Sequence, residues 1–390
     1  MSTIINARSP YFHKITNSQS SQGYSLSTAQ SKIYIWTGLL ASKPATPTYT
    51  ITKGPIGSDE FTNLELSVLI RDFLDTEYYN VTEGIGGTAD DAVWVVVDDT
   101  LYDGGSVIET YTKTFLAFDG YGYWDEGTNP RTSTDPLVTP TGDYTPMVLM
   151  DNRIVQFNRG EDIRIPIFSE SCANIVTTIT AVWNTTDVYW EAANQNWDAT
   201  SIPQNVVDST DSADKIQYVI IDSAQALTGD TITVTSTCGN LQTVVITLKE
   251  IECGVYDDYR VIFYNKYGAL QDFYLNKKSS KKLSIKNEDY DRNIFNRELN
   301  KYNPLKHQKY TFNVKANQSI TMNTEFLPEA FNQLVEQLFI SEQIWISLGL
   351  KVEPVVATSK QLDYKTVTND KLIQYTIGFD FSNSYINNVI

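Results

Sequence analysis

The chain has 390 residues, a length that allows two to four domains. Its composition, 41% hydrophobic and 20% charged, excludes an intrinsically disordered protein, and its net charge is −17. No apolar run approaches the roughly 20 residues of a membrane-spanning helix, and residues 1–12 lack the pattern of a signal peptide. The three cysteines argue against a disulfide framework and fit a reducing cytoplasm, although Cys172 and Cys238 could pair if their strands are neighbours.

Residues 1–128 are predicted to form a β-sandwich with one short helix. Apolar residues recur at helical spacing over 61–75, where Ser67 is a candidate N-cap. Runs rich in β-branched and aromatic residues predict strands on both sides of it. These runs lie at 9–15, 32–37, 48–53, 92–98 and 112–118.

A second sandwich is predicted after a linker. Residues 129–145 are rich in Pro, Thr and Gly, which is typical of a linker. Residues 146–252 then show short strand-like runs at the regular spacing of an all-β domain, so we expect an immunoglobulin-like sandwich there. The fold class expected for the sandwiches of the chain is immunoglobulin-like or jelly-roll-like. The runs lie at 147–150, 153–157, 162–168, 176–183, 187–190, 217–222, 231–237 and 242–248.

Residues 253–390 are predicted to form a sheet, one helix and further strands of the sheet. The helix is expected over 328–341, because apolar residues recur every three or four positions and Pro328 suits a first helical turn. Residues 277–309 are predicted to be a long basic loop, of which 277–286 could be a hairpin; loops of such length usually serve a function. Strand-like runs lie at 259–265, 269–275, 310–314, 320–322, 343–348, 352–356 and 371–381.

The charge is unevenly distributed along the chain. Residues 1–250 carry 13 Lys and Arg against 31 Asp and Glu, a net charge of −18, whereas residues 251–390 carry 17 against 16. Within the second part, residues 277–315 hold 11 basic and 4 acidic side chains. Such asymmetry bears on partners rather than on the fold.

The acidic residues do not suggest a catalytic or metal site. Adjacent acids on a strand point to opposite faces, so we expect the neighbouring pairs to be solvated surface. These pairs are Asp90/Asp91, Asp98/Asp99 and Asp257/Asp258. The set Asp208, Asp211 and Asp214 lacks the alternating ligand positions and the glycine of a calcium loop.

Histidine chemistry is equally limited. His13 and His307 lie far apart, with no Cys or carboxylate at metal-ligand spacing, so neither a zinc site nor a Ser–His–Asp triad is predicted. We therefore expect no enzyme, no cofactor and no metal. A glycosidase is the weakest hypothesis, because no carboxylate pair can be nominated for it.

Aromatic residues give an alternative function, glycan binding. Trp183, Trp190 and Trp197 recur every seven residues, and Tyr121 and Trp124 lie in a loop rich in Gly and aromatic residues. Exposed rings can stack on sugars, although the same spacing is typical of the core and rim of a sandwich. The alternative hypothesis is thus a glycan-binding adhesin built from β-sandwiches.

The basic stretch at 277–315 has two functional interpretations. Lysines interleaved with aromatic residues can bind nucleic acid, because they neutralise phosphates. They can also dock onto an acidic protein surface, which the first 250 residues of another copy supply. We favour assembly between copies, and its candidate interface residues are Lys277, Lys278, Lys281, Lys282, Lys286, Tyr290 and Phe295.

Several phrases of the sequence resemble structural proteins of tailed bacteriophages of the crAss-like group and related phages. The longest are YNKYGALQDFYLNKKS (264–279), LVEQLFISEQIWI (334–346) and LDYKTVTNDKLIQYTIGFDFSNSYINNV (362–389). Shorter ones are NARSPYF (6–12), LIRDFLD (69–75) and TFLAFDGYGYWDEG (114–127), whereas 150–250 is poorly covered. The resemblance implies a virion component of the tail, a ring or baseplate protein near the portal or tail barrel. It also implies that residues 253–390 form a tail-tube-like module that associates side by side around a channel.

These observations predict a mainly β, multidomain structural virion protein that forms an oligomeric ring in a phage tail. Its expected partners are copies of itself and neighbouring tail proteins, with DNA passing through the ring without sequence-specific binding. No membrane or small-molecule partner is expected. The predicted location is the virion tail, after assembly in the host cytoplasm.

Overall fold

The computed structural model confirms a mainly β protein with several sheets and a helix near the C-terminus. It describes residues 3–74, 78, 92–124, 147–168, 175–180, 200–204, 216–221, 223, 226, 228–236, 244–251, 255–349, 351–358 and 372–386. One compact unit comprises Met1–Ile251 with Phe263–Asp272, and the other comprises Glu252–Ile262 with Phe273–Ile390. The predicted linker at 129–145 and all three cysteines lie outside the described residues. The three-domain division and the pairing of Cys172 with Cys238 therefore stay predictions.

The first half of the first unit is a five-stranded sheet covered on one face. The sheet has the order β1-β7-β6-β3-β4, with β1 parallel to β7, and β2 pairs separately with β5. Side chains of β2, β5 and α1, among them Ile15, Leu64 and Ile70, pack against the apolar face of the sheet. The elements are β1 (Thr3–Asn6), β2 (Phe12–Thr16), β3 (Thr28–Trp36), β4 (Tyr49–Lys53), β5 (Phe61–Glu65), α1 (Ser67–Arg71), β6 (Ala92–Asp103) and β7 (Ser106–Phe118).

The helix predicted over 61–75 is wrong in its first third and ends earlier than expected. Residues Phe61–Glu65 form β5, because pairing with β2 satisfies their backbone groups and still buries Leu64. Only Ser67–Arg71 is helical. Ser67 is not the N-cap; it lies inside the helix, and its hydroxyl accepts a hydrogen bond from the backbone N–H of Tyr11 at 2.8 Å.

The second half of the first unit is a sandwich of two sheets. One sheet has the order β13-β10-β8 and the other β12-β11-β14-β15-β9, with β15 and β9 parallel. Apolar side chains from both sheets share one core, to which Ile165, Val219, Ile232 and Ile246 belong. The strands are β8 (Met147–Val148), β9 (Ile154–Phe157), β10 (Ile163–Phe168), β11 (Ile175–Thr180), β12 (Thr200–Gln204), β13 (Ile216–Ile221), β14 (Thr231–Ser236) and β15 (Val244–Glu250).

The segment Phe263–Asp272, which belongs to the first unit, is tied to this sandwich by polar contacts. Asn265 donates from its side-chain amide to the carbonyl of Leu149 at 2.7 Å. The Arg164 Nε donates to the carboxylate of Asp272 at 2.9 Å, and both side chains are buried. Because the segment turns tightly at Gly268, with φ +75°, a side chain there would be strained.

The second unit contains most of a seven-stranded sheet with the order β17-β16-β23-β24-β26-β21-β18. The helix α2 buries Leu334, Val335 and Leu338, which recur at the spacing of one helical face. The elements are β16 (Tyr259–Tyr264), β17 (Leu270–Leu275), β18 (Ser280–Asp291), β19 (Phe295–Asn296), β20 (Lys301–Tyr302), β21 (Lys309–Asn323), β22 (Leu327–Pro328), α2 (Asn332–Ile340), β23 (Ile344–Leu348), β24 (Lys351–Ala357), β25 (Leu372–Ile373) and β26 (Thr376–Phe381).

Two predictions for this unit need correction. The helix begins at Asn332 rather than at 328, because Leu327–Pro328 pairs with Leu372–Ile373 and a 3-10 turn, Glu329–Phe331, intervenes. The basic loop predicted over 277–309 is largely a β-hairpin. Its strand β18 runs through Asp291 and pairs with β21 along nearly its whole length.

Candidate functional site: an exposed β-hairpin arm

The most exposed part of the second unit is the hairpin formed by β18 and β21. Its register runs from the pair Ser280/Thr321 to the pair Asp291/Lys309, and every residue of β18 is exposed. Strand β26 pairs with β21 only over Ser319–Asn323. We call residues 281–320 the arm. The short strands β19 and β20 pair with each other in the connection between β18 and β21, and they form its tip.

A bulge divides the arm into a base and a distal half. The register shifts between Lys286 and Glu288, so that Asn313 and Val314 lie opposite Asn287. Asn313 has φ 49°, a left-handed conformation that asparagine tolerates better than most residues. Such bulges bend a strand and strengthen its twist, and they re-aim the side chains beyond them.

The two faces of the arm differ in charge. Residues opposite each other share a face, and alternation along β18 extends that face along the strand. We call one the basic face; it carries a net charge of +3 from four cations and Glu288. The other, the neutral face, has two cations and two acids. The basic face comprises Lys282, Ser284, Lys286, Glu288, Tyr290, Arg292, Tyr310, Phe312, Lys315, Asn317 and Ser319. The neutral face comprises Lys281, Leu283, Ile285, Asn287, Asp289, Asp291, Lys309, Thr311, Ala316, Gln318 and Ile320.

Three aromatic rings pack together on the distal half of the basic face. The centroid of the Tyr290 ring lies 5.4 Å from that of Tyr310 and 5.7 Å from that of Phe312, with interplanar angles of 54° and 65°. The guanidinium of Arg292 lies 5.1 Å from the Tyr310 centroid. Such cross-strand contacts stabilise a two-stranded ribbon, which is otherwise marginal in water. All three rings remain nearly half exposed.

A polar network joins the two strands on the neutral face. Asp289 accepts hydrogen bonds from the Thr311 hydroxyl at 2.7 Å and from the Asn287 amide at 2.8 Å, and it pairs with Lys309 at 3.0 Å. The bond from Thr311, followed by that from Lys309, lowers the pKa of the Asp289 carboxyl below its usual value. The same pairing raises the pKa of Lys309. The positive charge of Lys309 is thus paired with a carboxylate of the same arm.

The predicted interface residues are distributed over four parts of this region. Lys282, Lys286 and Tyr290 share the basic face, whereas Lys281 lies on the neutral face, with its Nζ 5.8 Å from the Tyr259 ring centroid. Phe295 is in the tip, where its ring meets that of Tyr302 edge-on at 5.5 Å. The remaining two, Lys277 and Lys278, precede β18.

Those two lysines are anchored through their backbones. The Lys277 N–H donates to the carbonyl of Asn323 at 3.2 Å, and the Lys278 carbonyl accepts a bond from the Asn323 amide at 2.7 Å. The structure therefore brings three of the seven candidates together. It adds Lys315, Tyr310 and Phe312 to them, because strand register pairs distant parts of the sequence in a way that the sequence pattern did not reveal.

The candidate glycan-binding residues are not united in the described structure. Trp183, Trp190 and Trp197 lie outside the described residues. Trp124 is 93% exposed, but Tyr121 is buried, with the Arg8 guanidinium 4.9 Å from its ring centroid. Tyr121 and Trp124 therefore do not form one open platform for a sugar ring.

One buried polar cluster in the first unit was missed by the sequence interpretation. Asp99 was expected at a solvated surface, but it is 1% exposed. Its carboxylate bonds to His13 Nε2 at 2.7 Å and accepts a bond from the Ser31 hydroxyl at 2.5 Å. Together with burial, the charge of Asp99 raises the pKa of the nearby Tyr111.

The sequence did contain a signal for this cluster. Alternate residues of β6, which are Val93, Val95, Val97 and Leu101, all face the core, and Asp99 continues the same series. The carboxylate lies between His13 and Ser31, whereas in a hydrolase triad the histidine lies between the acid and the nucleophile. With all three side chains buried, the cluster is a structural feature of the sandwich core.

No group of three or more His, Cys, Asp or Glu side chains in the described ranges could hold a metal ion. In the same part of the chain, no helix is long and apolar enough to cross a membrane.

Comparison with known proteins identifies no family for this chain. No protein-family model matches it, and no curated protein matches it either.

Proposed function

We propose that this chain is a structural virion protein of a tailed bacteriophage, and that copies of it assemble into a ring of the tail through the hairpin arm. The observation that carries the proposal is the arm itself, two long strands whose side chains are mostly exposed. The resemblance of the sequence phrases to tail proteins supports the choice of a phage tail over other assemblies.

The arm has the properties of an element that binds a protein partner. Besides the aromatic cluster, it exposes Leu283 and Ile285 on the neutral face and Leu299 and Leu305 near the tip. Apolar side chains gathered on one projecting element mark interaction surfaces more often than isolated ones do. In a ring, such an element on each subunit meets a different surface of the next subunit, and rotation closes the assembly.

The chain also carries the two charges that such a head-to-tail contact needs. Residues 277–315 have a net charge of +7, whereas residues 1–250 have a net charge of −18. Opposite charges on different parts of one chain favour association between copies, and they speed the encounter of subunits.

Shortening the arm tests this proposal. The pair Lys286/Lys315 offers a clean junction, because an Asn-Gly dipeptide in place of residues 287–314 would close a two-residue hairpin between these opposed lysines. We expect the full chain with its complete arm to sediment as a ring-sized oligomer and the shortened variant to sediment as a monomer.

The control for this variant is the fold of the rest of the chain. Since residues 287–314 are largely exposed and lie outside the part of β21 that pairs with β26, their removal should leave the far-UV spectrum and the unfolding temperature almost unchanged. Equal oligomerisation by the complete and shortened chains would contradict the role of the arm. A wild type that stays monomeric at micromolar concentration, alone and with other proteins of the same virion, would contradict the ring.

A further inference from the structure

The basic face of the arm places two lysines directly opposite each other. Lys286 and Lys315 are directly opposed across β18 and β21, where side chains leave the backbone only about 5 Å apart. Like charges in this position destabilise a strand pair. Neither lysine, nor Lys282 on the same face, forms an ion pair with any residue in the described ranges. An anionic group bound between them would remove the repulsion.

The neutral face shows no such need for a counter-charge. Its distal cation, Lys309, is paired with Asp289. Lys281 lies near the ring of Tyr259. The net positive charge is thus concentrated on one side of the arm, within about 33 Å from Lys282 to Arg292 at the usual rise of a strand.

We propose that the basic face of the arm is the recognition surface, and that it binds an acidic surface on the 1–250 part of a second copy of this chain. The inference rests on the proposed function and specifies which face of the arm makes the contact. Carboxylates of the partner would lie between Lys282, Lys286 and Lys315. Apolar atoms beside those carboxylates would cover the exposed edges of the aromatic cluster.

The geometry of the aromatic cluster favours protein over nucleic acid as the occupant. Bases stack on aromatic faces that are open to them. In the arm the rings of Tyr290, Tyr310 and Phe312 meet at 54° and 65°, and Arg292 lies near the Tyr310 ring, so the faces are partly occupied by one another. A partner that supplies carboxylates and short apolar side chains fits this surface better.

Charge reversal at one lysine tests the proposal in the full chain. Lys286→Glu converts the repulsive pair with Lys315 into an attractive one, so the arm should become at least as stable, as measured by hydrogen exchange of its backbone amides. Self-association should nevertheless weaken at least tenfold in sedimentation velocity at 0.1 M NaCl. A lysine that only supported the arm could not produce these opposite changes.

Lys281→Glu is the matched control, because the same charge is reversed on the opposite face of the same strand. We expect it to change self-association less than twofold, while Lys282→Glu weakens it about as much as Lys286→Glu. Equal effects of Lys281→Glu and Lys282→Glu would overturn the assignment of the face. The proposed function would survive that result as long as shortening the arm still abolishes the oligomer.

A second titration separates protein from nucleic acid. Fluorescein-labelled 30-nucleotide single strands and duplexes of mixed sequence are added to the wild type and to Lys286→Glu. We expect weak binding in both cases. Tight oligonucleotide binding that Lys286→Glu abolishes, together with unchanged self-association, would overturn the proposal in favour of a nucleic-acid surface.

Discussion

The neighbouring residues Asp98 and Asp99 lie in different environments and therefore have different roles. Asp98 and Asp99 are adjacent on β6 and therefore point to opposite faces of the sheet. Asp98 pairs with Lys43 at 2.8 Å at a half-exposed site, where bonds from Lys43 and Thr112 outweigh burial and lower the pKa of its carboxyl. Asp99 is instead enclosed with His13 and Ser31 in the core. The two aspartate side chains are therefore expected to contribute differently to the stability of the fold.

Replacement of these two acids should separate the buried from the exposed contact. Asp99→Ala leaves the His13 and Ser31 side chains buried without their partner, and we expect it to lower the free energy of unfolding by about 2–6 kcal/mol, the usual cost of two unpaired buried polar groups. Asp98→Ala removes a half-exposed ion pair and should cost less than about 1 kcal/mol. Hydrogen exchange of β3 and β6 amides reports both changes. Similar losses of protection in the two variants would contradict the structural role of the buried cluster.

The arm contains a second informative carboxyl, that of Asp289, whose pKa is lowered in the folded chain. A lowered folded pKa stabilises the folded arm at pH values above the unfolded value of 3.8, and this contribution is lost as the pH falls through the folded value. We expect the titration midpoint of Asp289, followed by NMR of its labelled carboxyl carbon, to lie below 3.8. The arm should loosen only in strongly acidic solution.

Substitution of the two main partners gives a test within this measurement. Thr311→Val removes one hydrogen bond that lowers the pKa of Asp289, and Lys309→Met removes both a hydrogen bond and a positive charge, so each variant should bring the midpoint nearer to 3.8. An unchanged midpoint in both variants would contradict the network. A midpoint of 3.8 in the wild type would mean that the network does not persist in solution.

Among the elements, the regular strands follow from local pattern and the arm does not. Runs such as 92–98 and 112–118 are apolar and β-branched, and they become β6 and β7, only extended at one end. Residues 277–309 show little apolar alternation, because every residue of β18 is exposed. A strand without a buried face has no regular alternation of apolar and polar residues. The sequence of this stretch therefore predicts a loop.

The helix boundaries predicted from apolar spacing are wrong where the same residues pair with a distant β-strand. The apolar spacing over 61–75 fits a helix, but the first five residues find a strand partner in β2. Similarly, Leu327–Pro328 joins Leu372–Ile373, a segment more than 40 residues away in the sequence. Long-range backbone pairing of this kind overrides local propensity, and a single sequence does not display it.

At the scale of the whole molecule, the exposed arm and the uneven distribution of charge favour a role in assembly. The described structure offers a sandwich core with a buried acid, a sheet with a helix, and an exposed arm with one strongly basic face. The acidic charge belongs to residues 1–250 and the basic arm to the second unit. We therefore propose that the arm lies against another copy of the chain when the protein performs its function.

Photo-crosslinking between isotopically distinct copies tests this claim most directly. A benzophenone amino acid replaces Tyr302 in the exposed tip, and equal amounts of unlabelled and 15N-labelled chains are mixed, irradiated and digested. We predict crosslinked peptides of mixed isotope composition that join the tip to a peptide within 1–250. Crosslinks confined to single chains, in a sample that sedimentation shows to be oligomeric, would contradict the claim.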